Sequence, residues 1–234
     1  MAKIIKICVL LIVLFIAIVK ITIKADDKVF MWEAQKKGSN AKVYLLGSIH
    51  VAKKELYPLN AKIENAFKES DNLVVELDIN KLDRESLMED IKKKAEYENG
   101  KNLYDELDSE IYFGLDKLLS NFSMTIVGMN NLKPWYFILL FSSLSYQGSD
   151  YNPEYGIDLH FIRNAEKKKI IELESLDRQI NVFSQLSDES QINIIKGMLE
   201  KAKSSKKQNL DKLMEYWKKG DVENFMKIAL EEKE

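Results

Sequence analysis

His50 and Glu76 are the residues of this chain best placed to do chemistry. The segment KVYLLGSIH carries an apolar run, residues 43–46, through Gly47 and Ser48 to His50, and a second apolar run, residues 73–75, ends in Glu76 26 residues later. Imidazole and carboxylate together can ligate a divalent ion or move a proton. Glycine lets the backbone turn sharply or lie against a ligand. Open α/β sheets place their sites at strand carboxyl ends. G-x-x-H is nevertheless a loose pattern. On the residues alone, a surface histidine after a turn with an exposed glutamate fits as well as a site does.

Three further positions join the set. Glu174 closes the apolar run 170–173, on the same kind of strand end as Glu76. Asp158 and Arg163 lie in YGIDLHFIR, which reads as the start of a helix. A carboxylate in a first turn also complements the helix dipole, so Asp158 is equally a helix-start residue. Arg163 lies five residues on, about 140° around a helix, and is directed toward a carboxylate of another element. His160 is either a ligand or a structural residue.

Strands and helices must hold these side chains. Residues 30–34 and 43–46 read as strands paired around the turn KKGSN. A short amphipathic helix carrying Leu59, Ile63, Ala66 and Phe67 leads to the strand before Glu76. From residue 80 to about 130 the spacing is helical, with Leu103, Leu107, Ile111, Leu115 and Leu119 forming a core-facing stripe. TIVG, residues 125–128, reads as a brief buried strand. Pro134 opens WYFILLFSSL, an interior helix too short to span a bilayer. A helix over 156–169, a strand over 170–173 and three more helical stretches complete the chain. Strands alternating with helices predict an α/β (mixed α+β) fold, a central mixed sheet flanked by many helices. The helices beyond residue 190 are expected to pack as a flank.

The chain has 234 residues, 46% of them apolar, enough for one domain with a sizeable core. With 31% charged residues, a net charge of −2 and no basic stripe, nucleic acid is not an expected partner. Residues 1–25 differ from the rest. Lys3 and Lys6 precede an apolar run over residues 7–19, and Lys20 follows, the layout of an export signal. An uncleaved membrane anchor is the other reading, since residues 4–23 reach the roughly 20 apolar positions of a span if the flanking lysines snorkel. Either way, residues 26–234 are expected outside the cytoplasm. Removing residues 1–25 takes four lysines and no acid, moving the formal charge from −2 to −6. The one cysteine, Cys8, lies in that run, so residues 26–234 hold no disulfide and no thiol nucleophile.

The strand ending GSIH, the following helix and NLVVELD resemble the TraB/PrgY/GumN-like family, which includes the TIKI proteases. YGIDLHFIRNAEKKKIIELESLDRQINVF is similar to that family's G-x-D helix and its strand closing on Leu-Glu. The resemblance implies an exported metal-dependent hydrolase acting on peptides or another small-molecule substrate. Gly47 would form the turn and His50 would be a metal ligand. Glu76 would be a ligand or the base activating water, Glu174 a third acid, and Asp158 and Arg163 further site residues. Mn, Co or Zn would be the ion. The family carries a second G-x-x-H near its carboxyl terminus, and this chain reaches Glu234 before one. The domain is therefore expected to be incomplete there. That departure keeps open a non-catalytic module sequestering a peptide signal or a small cofactor such as haem.

Overall fold

Gly38, at φ +80°, turns the chain within KKGSN, and Ser39 N–H donates to Lys36 O at 3.0 Å. The computed structural model that shows this describes residues 28–203 and 210–231. The export or anchor segment, residues 1–25, lies outside them. The described chain forms two units.

The first unit holds the described residues up to Asp71, Tyr155–Asp158 and the helices after residue 209. Strand β1 (Met31–Gln35) pairs antiparallel with β2 (Lys42–Leu46), from Met31↔Leu46 to Gln35↔Lys42. Helix α1 (Ala61–Glu69) begins where the Asn60 side chain accepts from Lys62 N–H, and it buries Ile63 and Ala66. Leu56 and Leu59 are buried with them. Phe30, just before β1, meets Trp217 on α9 (Leu210–Lys218) and Phe225 on α10 (Val222–Glu231), with ring centroids 6.4 and 4.9 Å apart. A Cβ at Gly220, between these helices, would lie 2.6 Å from the Lys28 carbonyl carbon, and its φ is +61°. Only glycine suits that turn.

The second unit, Asn72–Glu154 with Leu159 to residue 208, is mostly helical. Its helices are α2 (Arg84–Ala95), α3 (Leu103–Glu106), α4 (Ser109–Ser120), α5 (Pro134–Leu144), α7 (Leu176–Ser184) and α8 (Asp188–Lys203). Helix α6 (Ile157–Arg163) starts in the first unit and ends in the second. Trp135, Phe137, Ile138 and Phe141 on α5 are buried with Ile111, Leu115 and Leu119 of α4 and Ile195 of α8. Buried Gln191 accepts from Trp135 N–H at 3.0 Å and donates to Leu186 O at 2.8 Å. Both bonds satisfy main-chain groups at helix ends. Strand β3 (Asn72–Val75) pairs in parallel with β4 (Lys169–Glu172).

The mixed α/β class and the strand positions agree with the sequence. Among the described residues the single central sheet does not form: β1 pairs with β2 and β3 with β4, giving two two-stranded sheets. Residues 125–128 are not a strand. Ile126 is buried, but its N–H goes to the Asp116 carboxylate, and a 3-10 turn, Val127–Met129, comes next with Val127 74% exposed. The helix expected over 156–169 stops at Arg163, because Glu166 takes φ +50° and Lys168 N–H closes a turn on Ala165 O. Among the described residues four helices come after β4 where three were expected, the added break lying between α7 and α8. Helix α8 packs one face against the second unit, with Ile195 in its core.

Candidate functional site

Strand β2 ends at Leu46, and aromatic packing shapes the turn after it. A Cβ at Gly47 would overlap the Phe30 ring, so glycine is required for that close approach. Gly47 N–H donates to Phe30 O at 2.9 Å, and its carbonyl accepts from the Trp217 indole N–H at 2.7 Å. The turn is thus held on both sides as it delivers Ser48, Ile49 and His50.

Residues more than a hundred positions away complete the arrangement. Ile157 N–H, at the start of α6, donates to Ile49 O at 2.8 Å, and the Tyr57 hydroxyl donates to Tyr155 O at 2.8 Å. These ties bring Asp158 beside the turn. Its Oδ2 meets His50 Nδ1 at 2.8 Å and accepts a hydrogen bond from the Ser48 hydroxyl. The His50 side chain is 67% exposed and that of Asp158 22%. Burial alone would push the Asp158 carboxyl up, but hydrogen bonds from His50 and Ser48 outweigh it and hold its pKa below the ordinary value. An ionised carboxylate only accepts, so Nδ1 carries the proton toward Asp158, and in the neutral ring that leaves the lone pair on Nε2. Burial also pushes the Tyr57 phenol up to about 12, with the charges of Glu64 and Asp158 adding to it.

Glu76 and Glu174 belong to the second unit and meet there. The β3–β4 ladder continues past the strands through Leu173 N–H to Val75 O and Glu174 N–H to Glu76 O, each 2.9 Å. Two expected acids therefore sit on adjacent backbone at one strand-end rim. Glu76 is exposed; Glu174 is half-buried, 4.0 Å from Arg178. Next to them Glu172 accepts from Asp78 N–H at 2.9 Å and from Lys81 Nζ at 3.0 Å, contacts that hold its carboxyl below the ordinary value. Arg163 pairs with Glu154, the carboxylate on another element that its position called for. The His160 ring stands edge-on to Phe161 at 5.0 Å.

His50 and Asp158 are thus brought together in one unit, and Glu76 with Glu174 in the other, while β2 and β3 are not partners. Sequence reasoning missed Ser48 and Tyr57. The signal for Ser48 was present in GSIH: residues two apart on extended chain project to the same side, so Ser48 accompanies His50. Among the described residues no group of three or more His, Cys, Asp or Glu side chains is close enough to share a metal ion. A catalytic zinc takes three protein ligands, more than the described residues bring together around His50.

Comparison with known protein families matches residues 30–234 to the TraB/PrgY/gumN family. The chain belongs to that family. Two curated proteins resemble it, both described as uncharacterized protein YbaP, from Escherichia coli (strain K12) and Shigella flexneri. Each is 24% identical over 151 residues, covering 64% of this chain and 54% of theirs. The chain thus spans about half the length of the curated relatives it matches. No solved structure matches it. The matched TraB/PrgY/gumN region takes in the GSIH turn, both strand-end acids and the start of α6. Among the described residues no helix is long and apolar enough to cross a membrane.

Proposed function

We propose that this chain is a hydrolase of the TraB/PrgY/gumN family, acting on peptides outside the cytoplasm with His50 as its working group. The observation that carries the reading is the His50–Asp158 pair: an exposed imidazole held at Nδ1 by a carboxylate, on the family's G-x-x-H turn. Such a ring is oriented for general-base work, because the carboxylate fixes the tautomer and faces the positive charge the ring acquires. Nε2 takes a proton from water as the water oxygen bonds to the peptide carbonyl carbon. When the carbon–nitrogen bond breaks, the same nitrogen returns the proton to the departing amine. Glu76 and Glu174 are the next candidate acids, as a pair on one rim.

A divalent ion (Mn, Co or Zn) belongs to the family expectation and enters the test as a variable. No step is routed through it, since the described side chains around His50 number fewer than a ligand set. The protein is incubated with a peptide library, with each ion and with chelator, beside His50→Ala. Cleavage lost in His50→Ala is the expected result, and cleavage that survives that substitution removes His50 from the reaction. Binding of a peptide without cleavage under any condition favours the sequestering module.

A further inference from the structure

We propose that Ser48 is a positioning residue of this site: its hydroxyl fixes the Asp158 carboxylate so that Oδ2 keeps the His50 proton on Nδ1 and leaves the ring's lone pair on Nε2. The inference rests on His50 being the working group and adds which atom reacts and what selects it. A carboxylate turns broadly about its last torsion, and its two oxygens are equivalent until something distinguishes them. Here Ser48 Oγ and His50 Nδ1 converge on the same oxygen, Oδ2.

The backbone beneath Asp158 is already tied down, by Ile157 N–H on Ile49 O and by the Tyr57 hydroxyl on Tyr155 O, each at 2.8 Å. The rotation of the carboxylate is held by His50, by the Asp158 main-chain N–H and by Ser48, whose hydroxyl adds its bond on the oxygen that faces the ring. Ile49, whose carbonyl holds the start of α6, lies between Ser48 and His50, so one short stretch sets both the carboxylate's position and its orientation. A nucleophilic role for Ser48 does not fit. An activated serine gives its hydrogen bond to the base, whereas Ser48 gives its own to Asp158, and the imidazole is bonded to the same carboxylate through the nitrogen that carries the proton.

The test uses the full-length chain with 15N-labelled histidine. The sequence has two histidines, so the ring spectra contain two sets of signals, assigned with His160→Gln. Neutral His50 is expected as the Nδ1–H tautomer, opposite to the form free histidine prefers. Ser48→Ala is expected to give mixed tautomers and to lower kcat for peptide cleavage about tenfold with little change in KM, the lower end of what losing such a supporting contact costs. Ser48→Thr, which keeps the hydroxyl, should restore both readouts. Asp158→Asn should abolish the tautomer preference, and with Ser48→Thr it carries the test if Ser48→Ala does not fold. A wild-type ring in the Nε2–H form, or identical ring signals in Ser48→Ala, overturns the proposal. A tautomer series that behaves as expected in a protein that cuts no peptide supports the positioning role and refutes the hydrolase reading.

Discussion

Tyr57 shows how a single side chain underwrites the site without touching a reacting atom. Its hydroxyl donates to Tyr155 O at 2.8 Å and more weakly to Gly156 O at 3.3 Å, on the segment that carries Asp158. Burial, then the charges of Glu64 and Asp158, raises its pKa from 10.0 to about 12. A raised pKa means the fold favours the neutral phenol. That contribution to stability is complete below pH 10 and is lost as pH rises through about 12. Tyr57→Phe should therefore cost about 1 kcal/mol at neutral pH, the usual worth of one such bond, and should flatten the alkaline fall in melting temperature between pH 10 and 12. Melting curves over that range check both. A variant as sensitive to alkali as the parent would assign the effect to another tyrosine.

Gly47 is where the first unit's elements constrain one another most tightly. The Phe30 ring fills the space a Cβ would occupy, and Trp32, Trp217 and Phe225 surround that ring, so it has nowhere easy to go. Gly47→Ala is expected to destabilise by about 1–3 kcal/mol, the range for overpacking a filled core, and to shift tryptophan fluorescence as the Trp217 indole loses its bond to Gly47 O. Combining it with Phe30→Ala should cost less than the sum of the two single changes, because the clash disappears with the ring. Additive costs would show that the clash is not what Gly47 avoids. In the second unit Gln191→Leu removes an acceptor from Trp135 N–H and a donor from Leu186 O, both main-chain groups. A loss of about 2 kcal/mol is expected by denaturant titration, and a midpoint equal to the parent's would mean those groups find other partners.

The elements differ in how far their sequence revealed them. The interior helix α5, the stripe on α4 and all four strands were legible, because apolar period and turn formers act over a few residues and packing reinforced them. Residues 125–128 were misread: an apolar run without alternation fits a strand, but the Asp116 side chain claims the Ile126 N–H and leaves Val127 exposed. The helix end at Arg163 depends on the left-handed backbone of Glu166, which no propensity marks. Strand pairing was the larger miss. Sequence placed His50 and Glu76 at strand ends but said nothing of which strands would be neighbours, and the structure gives β2 to β1 and β3 to β4. The His50–Asp158 contact joins residues 108 positions apart. Both partners were identifiable as chemically competent, while their meeting depends on the Ile157 and Tyr57 hydrogen bonds, which are properties of the fold.

At the scale of the whole molecule, charge is distributed in a way that bears on where the protein works. The four lysines of residues 1–25 flank an apolar run, and the remainder carries a formal charge of −6. Lys3 and Lys6 before the run favour an amino terminus kept on the cytoplasmic side, while Lys20 and Lys24 after it oppose that bias. Both fates of the segment put the rest of the chain across the membrane: 13 apolar residues match the core of an export signal, and residues 4–23 reach the about 20 that a bilayer needs if the flanking lysines snorkel. Residues 26–234 are therefore expected to be accessible to added protease on the far side of the membrane in intact cells, once any outer barrier is opened. Mass measurement of the isolated protein reads the fate of the segment directly. A mass lacking about 25 residues marks a cleaved signal, and a full-length mass in the membrane fraction marks an anchor whose flanking lysines reach the two interfaces. A chain digested only after cell lysis would place His50 in the cytoplasm and remove extracytoplasmic peptides from its substrates.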